Sequence, residues 1–254
     1  MSPSALIVLA SLSLAQPAWA ASESTCWLDR DVLVVPAIVA GVSGDFILDT
    51  GAMQTVLAET QAQGAGYADT ALTSSVVLAG ASFPGRLIQV ADLDARTHSF
   101  PTPIAGVIGA DILADYVLEL QPSPCRVILR RLDKDVRSRA AGAPLVEASI
   151  SDGVTSRSGL FVVATGADAA VRLTDDAADI PGARQTAPWR PFGRRRAMLR
   201  AFSLADHLSE NVAGGLVPPA ELPPGTMGVI GLGALAGRSL RLDFPNHRMT
   251  ISPG

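Results

Sequence analysis

Metal-binding and nucleic-acid-binding features are scarce in this chain. Its three histidines, His98, His207 and His247, lie far from both cysteines and from one another, so no zinc-ligand spacing occurs. A net charge of −4 over 254 residues provides no basic excess for contacting phosphates. A phosphate-cradling glycine loop is also missing from the sequence. We therefore expect no bound metal, no cofactor and no nucleic-acid partner.

Long hydrophobic runs are absent beyond the N-terminus. Residues 1–20 carry no charge, contain an apolar run from Ala5 to Leu14, and end in Ala18-Trp19-Ala20, a small-x-small pattern typical of signal-peptidase cleavage. A buried core segment is the alternative interpretation. No later stretch approaches the roughly 20 apolar residues of a membrane span. We expect a secretory signal over residues 1–20, a periplasmic or secreted protein, and no membrane attachment after cleavage.

Only two cysteines follow residue 20, at Cys26 and Cys125. In an exported protein an even count favours a disulfide, which here would join the first strand of the first half to its last strand. Two separate free thiols are the alternative.

Two similar segments indicate an internal duplication. Residues 46–57 read FILDTGAMQTVL and residues 161–173 read FVVATGADAAVRL. Asp49 in the first copy therefore corresponds to Ala164 in the second.

The similarity returns near the end of each half. Residues 106–129 align without a gap on residues 228–251, with nine of 24 positions identical. The period of 115 to 122 residues far exceeds the roughly 20 to 50 residues of a solenoid repeat. The duplicated unit is therefore a whole lobe.

The sequence of each copy predicts an all-β lobe. Short apolar runs such as DFILDTGA and TSSVVLAG are separated by Gly, Pro and Ser, as in hairpin-rich folds. One short helix is expected after Gly109, with Asp111 near its positive end. Because residues 132–143 are charged and then small, we assign lobe 1 to residues 21–131, a linker to residues 132–143, and lobe 2 to residues 144–254.

The segment Ile47–Ala52, apolar-apolar-Asp-Thr-Gly-Ala, is followed some sixty residues later by Val107-Ile108-Gly109. This combination resembles the aspartic peptidases, and most closely the retropepsin-like lobe of bacterial aspartyl-protease-family proteins. The resemblance covers nearly all of lobe 1. It implies an all-β protein of two pseudo-symmetric, retropepsin- and pepsin-like β-barrel lobes, each with one short helix. It also implies that the partner is a polypeptide substrate or a peptide ligand.

The resemblance assigns roles to individual residues. Asp49 corresponds to the catalytic carboxylate, which shares one proton with a second carboxylate and activates a water. Thr50 corresponds to the residue whose hydroxyl braces the two catalytic loops against each other. Four further positions support this loop in the family: Gly51, Ala52, Ile108 and Gly109.

The second copy keeps the loop and loses its acid. Thr165 and Gly166 are present, while Ala164 takes the place of the second carboxylate. Asp49 then lacks its partner, and one carboxylate alone lacks half of the two-carboxylate mechanism. Two functions stay open: an aspartic-type endopeptidase that acts through a water activated by Asp49, and an inactive pseudoprotease that binds peptide between the lobes. A structural component with an empty cleft is a third possibility.

Two segments are candidates for a lid over the cleft. The flap of the family would fall around Gly64 to Ser75 in lobe 1. In lobe 2 the corresponding place holds an arginine-rich loop that would select acidic or aromatic ligand groups, a solvated basic loop being the alternative. The candidate lid residues of this loop are Trp189, Arg194, Arg195 and Arg196.

The two lobes have two ways to pair. Lobe 1 can pair with lobe 2 of the same chain, or two chains can pair lobe 1 with lobe 1 and bring two copies of Asp49 together. The chain's own lobe 2 competes at very high effective concentration. This favours a monomer with an intramolecular pseudo-dimer over a homodimer.

Overall fold

The structure is a computed structural model and describes residues 22–131, 142–178, 191–192, 196–205 and 207–253. The expected signal segment, residues 1–20, and most of the expected linker lie outside these residues. The strands are β1 (Ser22–Thr25), β2 (Trp27–Asp29), β3 (Val32–Val39), β4 (Val42–Leu48), β5 (Thr55–Ala58), β6 (Ala71–Leu78), β7 (Ala81–Ala91), β8 (Ile104–Ile108), β9 (Tyr116–Pro122), β10 (Cys125–Arg131), β11 (Leu145–Ser151), β12 (Ser156–Val163), β13 (Val171–Leu173), β14 (Met198–Leu204), β15 (His207–Leu216), β16 (Thr226–Ile230), β17 (Ser239–Asp243) and β18 (Arg248–Ser252).

Helical segments are few and short among the described residues. The α-helices are α1 (Glu59–Gly64), α2 (Asp94–Thr97) and α3 (Asp175–Ala178), and 3-10 turns span Ala110–Ile112, Pro219–Glu221 and Leu232–Leu235. The helix predicted after Gly109 is therefore a single 3-10 turn. None of the described helices is long and apolar enough to cross a membrane.

The first barrel consists of six strands in the order β3-β4-β8-β5-β7-β6, and pairing between β6 and β3 closes it. Strand β3 is rich in β-branched residues, which favour extended backbone. Its Leu33 and Val35 point into the main core, whereas Val32 and Val34 belong to a second apolar cluster on the other face. Both faces of β3 are therefore buried at this end.

The second barrel repeats this topology strand for strand. It closes in the order β11-β12-β16-β13-β15-β14. The parallel pairs β4–β8 and β5–β7 recur as β12–β16 and β13–β15. Even the register shift between Asp45 and Phe46 recurs, between Leu160 and Phe161. The predicted all-β architecture of two pseudo-symmetric barrels is confirmed.

A five-stranded sheet in the order β1-β10-β9-β17-β18 joins the two barrels. In its centre Leu118 pairs with Leu242, and Leu120 pairs with Leu240, so the pseudo-two-fold axis passes between Glu119 and Arg241. These two residues are equivalent in the sequence repeat and form an ion pair across the axis. The inter-lobe contact is therefore complementary in charge at its centre.

Cys26 and Cys125 form a disulfide, with their Cα atoms 5.0 Å apart and 99 positions apart in sequence. Cys26 lies between β1 and β2, and Cys125 begins β10. The bond fastens the N-terminal strands of lobe 1 to the sheet that joins the lobes.

The flap predicted around Gly64 to Ser75 does not form. The segment contains the end of α1 and the start of β6, which closes the barrel by pairing with β3 and β7. The hydroxyl of Tyr67 donates to the carbonyl of Ala40 at 2.8 Å, at the turn between β3 and β4. This turn lies at the end of β4 opposite to Asp49. Within the segment, Ala71 to Ser74 pair with β7, and the pairs with β3 that close the barrel begin just after it, at Val76.

Candidate functional site

Two equivalent loops meet at the pseudo-two-fold axis, one after β4 and one after β12. The amide of Asp49 donates to the carbonyl of Ile108 at 2.9 Å, and the amide of Ala164 donates to the carbonyl of Ile230 at the same distance. The strand that precedes each loop is paired in parallel with the strand bearing this isoleucine. The sequence repeat therefore becomes a pair of matching loops, with Asp49 and Ala164 at equivalent positions.

Thr50 and Thr165 bind the two loops together. Each threonine hydroxyl accepts from the amide of the other threonine, at 3.2 and 3.3 Å. Each also donates to a carbonyl of the opposite lobe, Thr50 to Val163 at 2.6 Å and Thr165 to Leu48 at 2.5 Å. Both threonines are fully buried. Four hydrogen bonds thus cross between the lobes in a reciprocal pattern, although only one loop has an acid.

The glycines of the loops allow this close approach. A Cβ atom added to Gly51 would lie 2.5 Å from the Cβ of Ala164, and one added to Gly166 would lie 2.5 Å from the Cγ of Asp49. Both separations are far below van der Waals contact. The packing of the loops therefore requires glycine at both positions.

Asp49 is 6% exposed and receives hydrogen bonds on both carboxylate oxygens. Its Oδ1 accepts from the amides of Gly51 at 2.9 Å and Gly166 at 3.3 Å. Its Oδ2 accepts from Nη2 of Arg96 at 2.6 Å, and the same nitrogen donates to the carbonyl of Gly166 at 3.1 Å. Where a second acid would lie, the chain has the methyl group of Ala164. The expectation that Asp49 lacks a partner needs correction, because its partner is a cation.

Arg96 is the site residue that the sequence analysis missed. It lies on α2, in the connection between β7 and β8, 47 positions from Asp49. Its surroundings have no motif, and lobe 2 has no counterpart that the repeat would have revealed. Only the folded path of the chain brings it to the carboxylate.

The Ile108-Gly109 segment supports the Asp49 loop from below. The amide of Ala110 donates to the carbonyl of Ala52 at 2.8 Å. Thr55 accepts from the amide of Gly109 at 3.2 Å and donates to Oδ1 of Asp111 at 3.0 Å. Burial raises the pKa of Asp111 above its ordinary value of 3.8, although the hydrogen bond from Thr55 opposes this rise.

Asp111→Asn should have a higher free energy of unfolding than wild type, and this difference should grow as the pH rises. A raised pKa means that the native state binds the proton more tightly than the unfolded state, so the stability contributed by Asp111 is complete below pH 3.8 and falls as the pH passes the folded-state pKa. The asparagine oxygen still accepts from Thr55 and does not titrate. Denaturant unfolding at a series of pH values from below 3.8 to neutral measures the difference in unfolding free energy between the variant and wild type. Asp115→Asn is the control for losing one exposed charge. A difference that shrinks with rising pH would contradict the assignment.

A cleft of about 610 Å³ opens above the two loops and is lined by both lobes. Its apolar lining belongs to two separate clusters, one in each lobe. The larger of these residues are Val32, Ile47 and Phe100 in lobe 1, and Val162, Val217, Leu222 and Val229 in lobe 2. Its charged or ionisable lining consists of Arg30, Asp49, Arg96, His98, Asp168, Arg172 and Glu221. The cleft therefore offers apolar walls on both sides of a polar centre.

The candidate lid residues do not form a described lid. Trp189, Arg194 and Arg195 lie outside the described residues. Arg196 is exposed and is not among the residues that line the cleft. Across the part of the chain that the structure describes, no three His, Cys, Asp or Glu residues are grouped so that they could hold a metal ion.

Comparison with known proteins agrees with this geometry. Residues 35–118, most of lobe 1, match the aspartyl protease family. The crystal structure of an aspartic proteinase from Irpex lacteus is similar to this chain over 92% of this chain and 97% of that chain, with a TM-score of 0.55 and 13% sequence identity. No curated protein is detectably similar in sequence. Residues 35–118 are therefore similar to the aspartyl protease family, and the whole chain has the two-lobed fold of the retropepsin- and pepsin-like aspartic peptidases.

Proposed function

We propose that this protein binds extended polypeptide in the cleft between its lobes and hydrolyses it poorly or not at all. The single observation that carries the proposal is the ion pair between Asp49 and Arg96 opposite the methyl group of Ala164. The cleft and its apolar walls support the binding of peptide, and the centre of the site lacks the pair of acids that cleavage uses.

Hydrolysis of the aspartic type needs two carboxylates that share a proton and hold a water between them. One then acts as base while the other acts as acid, each within about 3 Å of the proton that it transfers. In this protein the side of Asp49 that faces away from the glycine amides contacts Nη2 of Arg96 at 2.6 Å. Among the described residues, neither a second acid nor a proton-sharing pair lies at the axis.

An aspartic-type endopeptidase that acts through a water activated by Asp49 is the second candidate. One observation favours it: Asp49 lines the cleft and keeps two glycine amides on Oδ1. Movement of Arg96 away from Oδ2 would be the requirement for this activity. The two candidates differ in whether bound peptide is cut.

The proposed binding unit is a single chain. Pairing of lobe 1 with lobe 1 of a second chain would place Glu119 opposite Glu119, because this residue pairs across the axis with its repeat equivalent Arg241. Like charges directly opposite each other on neighbouring strands are destabilising. The lobe 1–lobe 2 contact has an ion pair at the same place.

The test incubates the purified protein with unstructured peptides that carry apolar side chains, from pH 3 to pH 7. Titration calorimetry measures binding, mass spectrometry measures cleavage, and sedimentation of the same sample gives its mass. The expected result is saturable binding by a monomer with intact peptides. Cleavage that disappears in Asp49→Asn would establish the endopeptidase instead. Absence of binding by any peptide would overturn the proposal.

A further inference from the structure

We propose that Arg96 makes the cleft selective for peptides that carry a carboxylate, which accepts hydrogen bonds from the open edge of its guanidinium. The inference rests on the proposed binding function and specifies the ligand of the same cleft. It follows from how Arg96 is held, from which of its donors remain unused, and from the burial of Asp49 beneath it.

The backbone around Arg96 fixes its position at the cleft. Its amide donates to the carbonyl of Leu93 at 2.9 Å. The hydroxyl of Thr97 donates to the same carbonyl at 2.9 Å, and the amide of Asp94 donates to Oδ1 of Asp92 at 2.8 Å. A turn held by these bonds presents the side chain to the cleft before any ligand binds, which reduces the entropy lost on binding.

The guanidinium of Arg96 has unused donors. It carries five N–H groups, of which Nη2 uses its two on Asp49 and Gly166. Within the described residues, Nε and Nη1 have no acceptor. The side chain is 39% exposed and lines the cleft. Three N–H donors are therefore left to water or to a ligand.

At the centre of the cleft, a ligand meets the guanidinium of Arg96. Asp49 is almost completely buried, and its oxygens already receive three hydrogen bonds. A ligand ammonium would have to displace Arg96 to reach Asp49. A ligand acceptor can instead add to Nη1 or Nε without breaking any contact. Hydrogen bonds between ionised partners are roughly twice as strong as neutral ones, so a carboxylate is favoured over an amide oxygen.

Other cleft arginines are less available as the selective contact. Arg30 donates through Nε and Nη2 to Asp29, and Arg172 donates to Asp168. The side chain of Asp168 is 60% exposed, so a ligand carboxylate near Arg172 meets an accessible negative charge. The acid paired with Arg96 lies beneath it and away from the ligand.

The expected ligand is a peptide with a carboxylate flanked by apolar side chains, which the two apolar walls would accept. The carboxylate can belong to an internal Asp or Glu or to the C-terminus. Three synthetic pentapeptides separate these sources. One is acetyl-Leu-Val-Glu-Phe-Ala-amide, the second has Gln for Glu, and the third is the Gln peptide with a free C-terminal carboxylate.

Titration calorimetry should show that wild type binds at least one carboxylate peptide about tenfold or more tightly than the neutral Gln amide. Arg96→Gln should abolish this preference, and Arg96→Lys should retain part of it. Arg248→Gln, which removes an exposed charge outside the cleft, is the matched control and should retain all of it. Thermal unfolding of each variant verifies that it is folded.

Equal affinities of wild type for all three peptides, or an unchanged preference in Arg96→Gln, would overturn the inference and leave the binding function standing. Failure of every peptide to bind wild type would overturn both. A preference for the free C-terminus alone, if lost in Arg96→Gln, supports the inference and identifies the terminal carboxylate as the source.

Discussion

Ala164→Asp combined with Arg96→Gln is expected to give a peptidase active at acidic pH, faster than wild type by roughly a hundredfold or more, the usual contribution of a positioned general acid or base. The substitution places a carboxylate at the position equivalent to Asp49. The amides of Gly51 and Gly166, which both donate to Asp49, lie between the two loops and are within reach of the new side chain. Removing Arg96 frees Oδ2 of Asp49, so that the two acids can share a proton and hold a water.

Rates with a fluorogenic peptide across pH 3 to 7 measure this gain. Ala167→Asp with Arg96→Gln is the matched control, because it adds an acid to the same cleft three positions after Ala164 in the sequence. Adding Asp49→Asn to the Ala164→Asp, Arg96→Gln variant should return the rate to background. If the Ala164→Asp, Arg96→Gln protein is folded but cleaves no faster than the Ala167→Asp control, the prediction is wrong. The missing acid would then not be what limits cleavage.

The duplication is the feature that made the fold and the loop pair predictable from the sequence. The Asp-Thr-Gly segment and the Ala-Thr-Gly segment that repeats it both follow a strand rich in apolar residues. Such a local pattern can be recognised in the sequence. The requirement for glycine at Gly51 and Gly166 is equally local, since any Cβ there would clash with the opposite loop. Sequence therefore predicted which loops meet and that Asp49 meets Ala164.

The charge partner and the lid were not predictable in the same way. Arg96 reaches Asp49 only because the connection from β7 to β8 crosses the cleft, and a contact over 47 positions leaves no periodic pattern. The flap prediction failed because residues 64–75 contain the end of α1 and the start of β6, and β6 continues directly into the barrel wall, where residues 76–78 pair with β3. Both differences arise from tertiary contacts, while local propensity was interpreted correctly.

Thr50→Val is expected to lower the free energy of unfolding by roughly 2–6 kcal/mol, because it leaves two buried backbone groups without their partner at about 1–3 kcal/mol each. Valine has the shape of threonine and lacks the hydroxyl that donates to Val163 and accepts from Thr165. Thr165→Val should cost a similar amount, since it strands the carbonyl of Leu48 and the amide of Thr50 in the same way.

Urea unfolding measures both losses. Thr50→Ser keeps the hydroxyl and should cost much less than Thr50→Val. Thr73→Val, at an exposed strand position of lobe 1, should change stability by no more than about 0.5 kcal/mol. Because the four bonds form one unit, the double variant should cost less than the sum of the single ones. Additive losses of stability, or no measurable loss in Thr165→Val, would contradict this prediction. Such a result would mean that the two threonines do not stabilise the lobe contact as one unit.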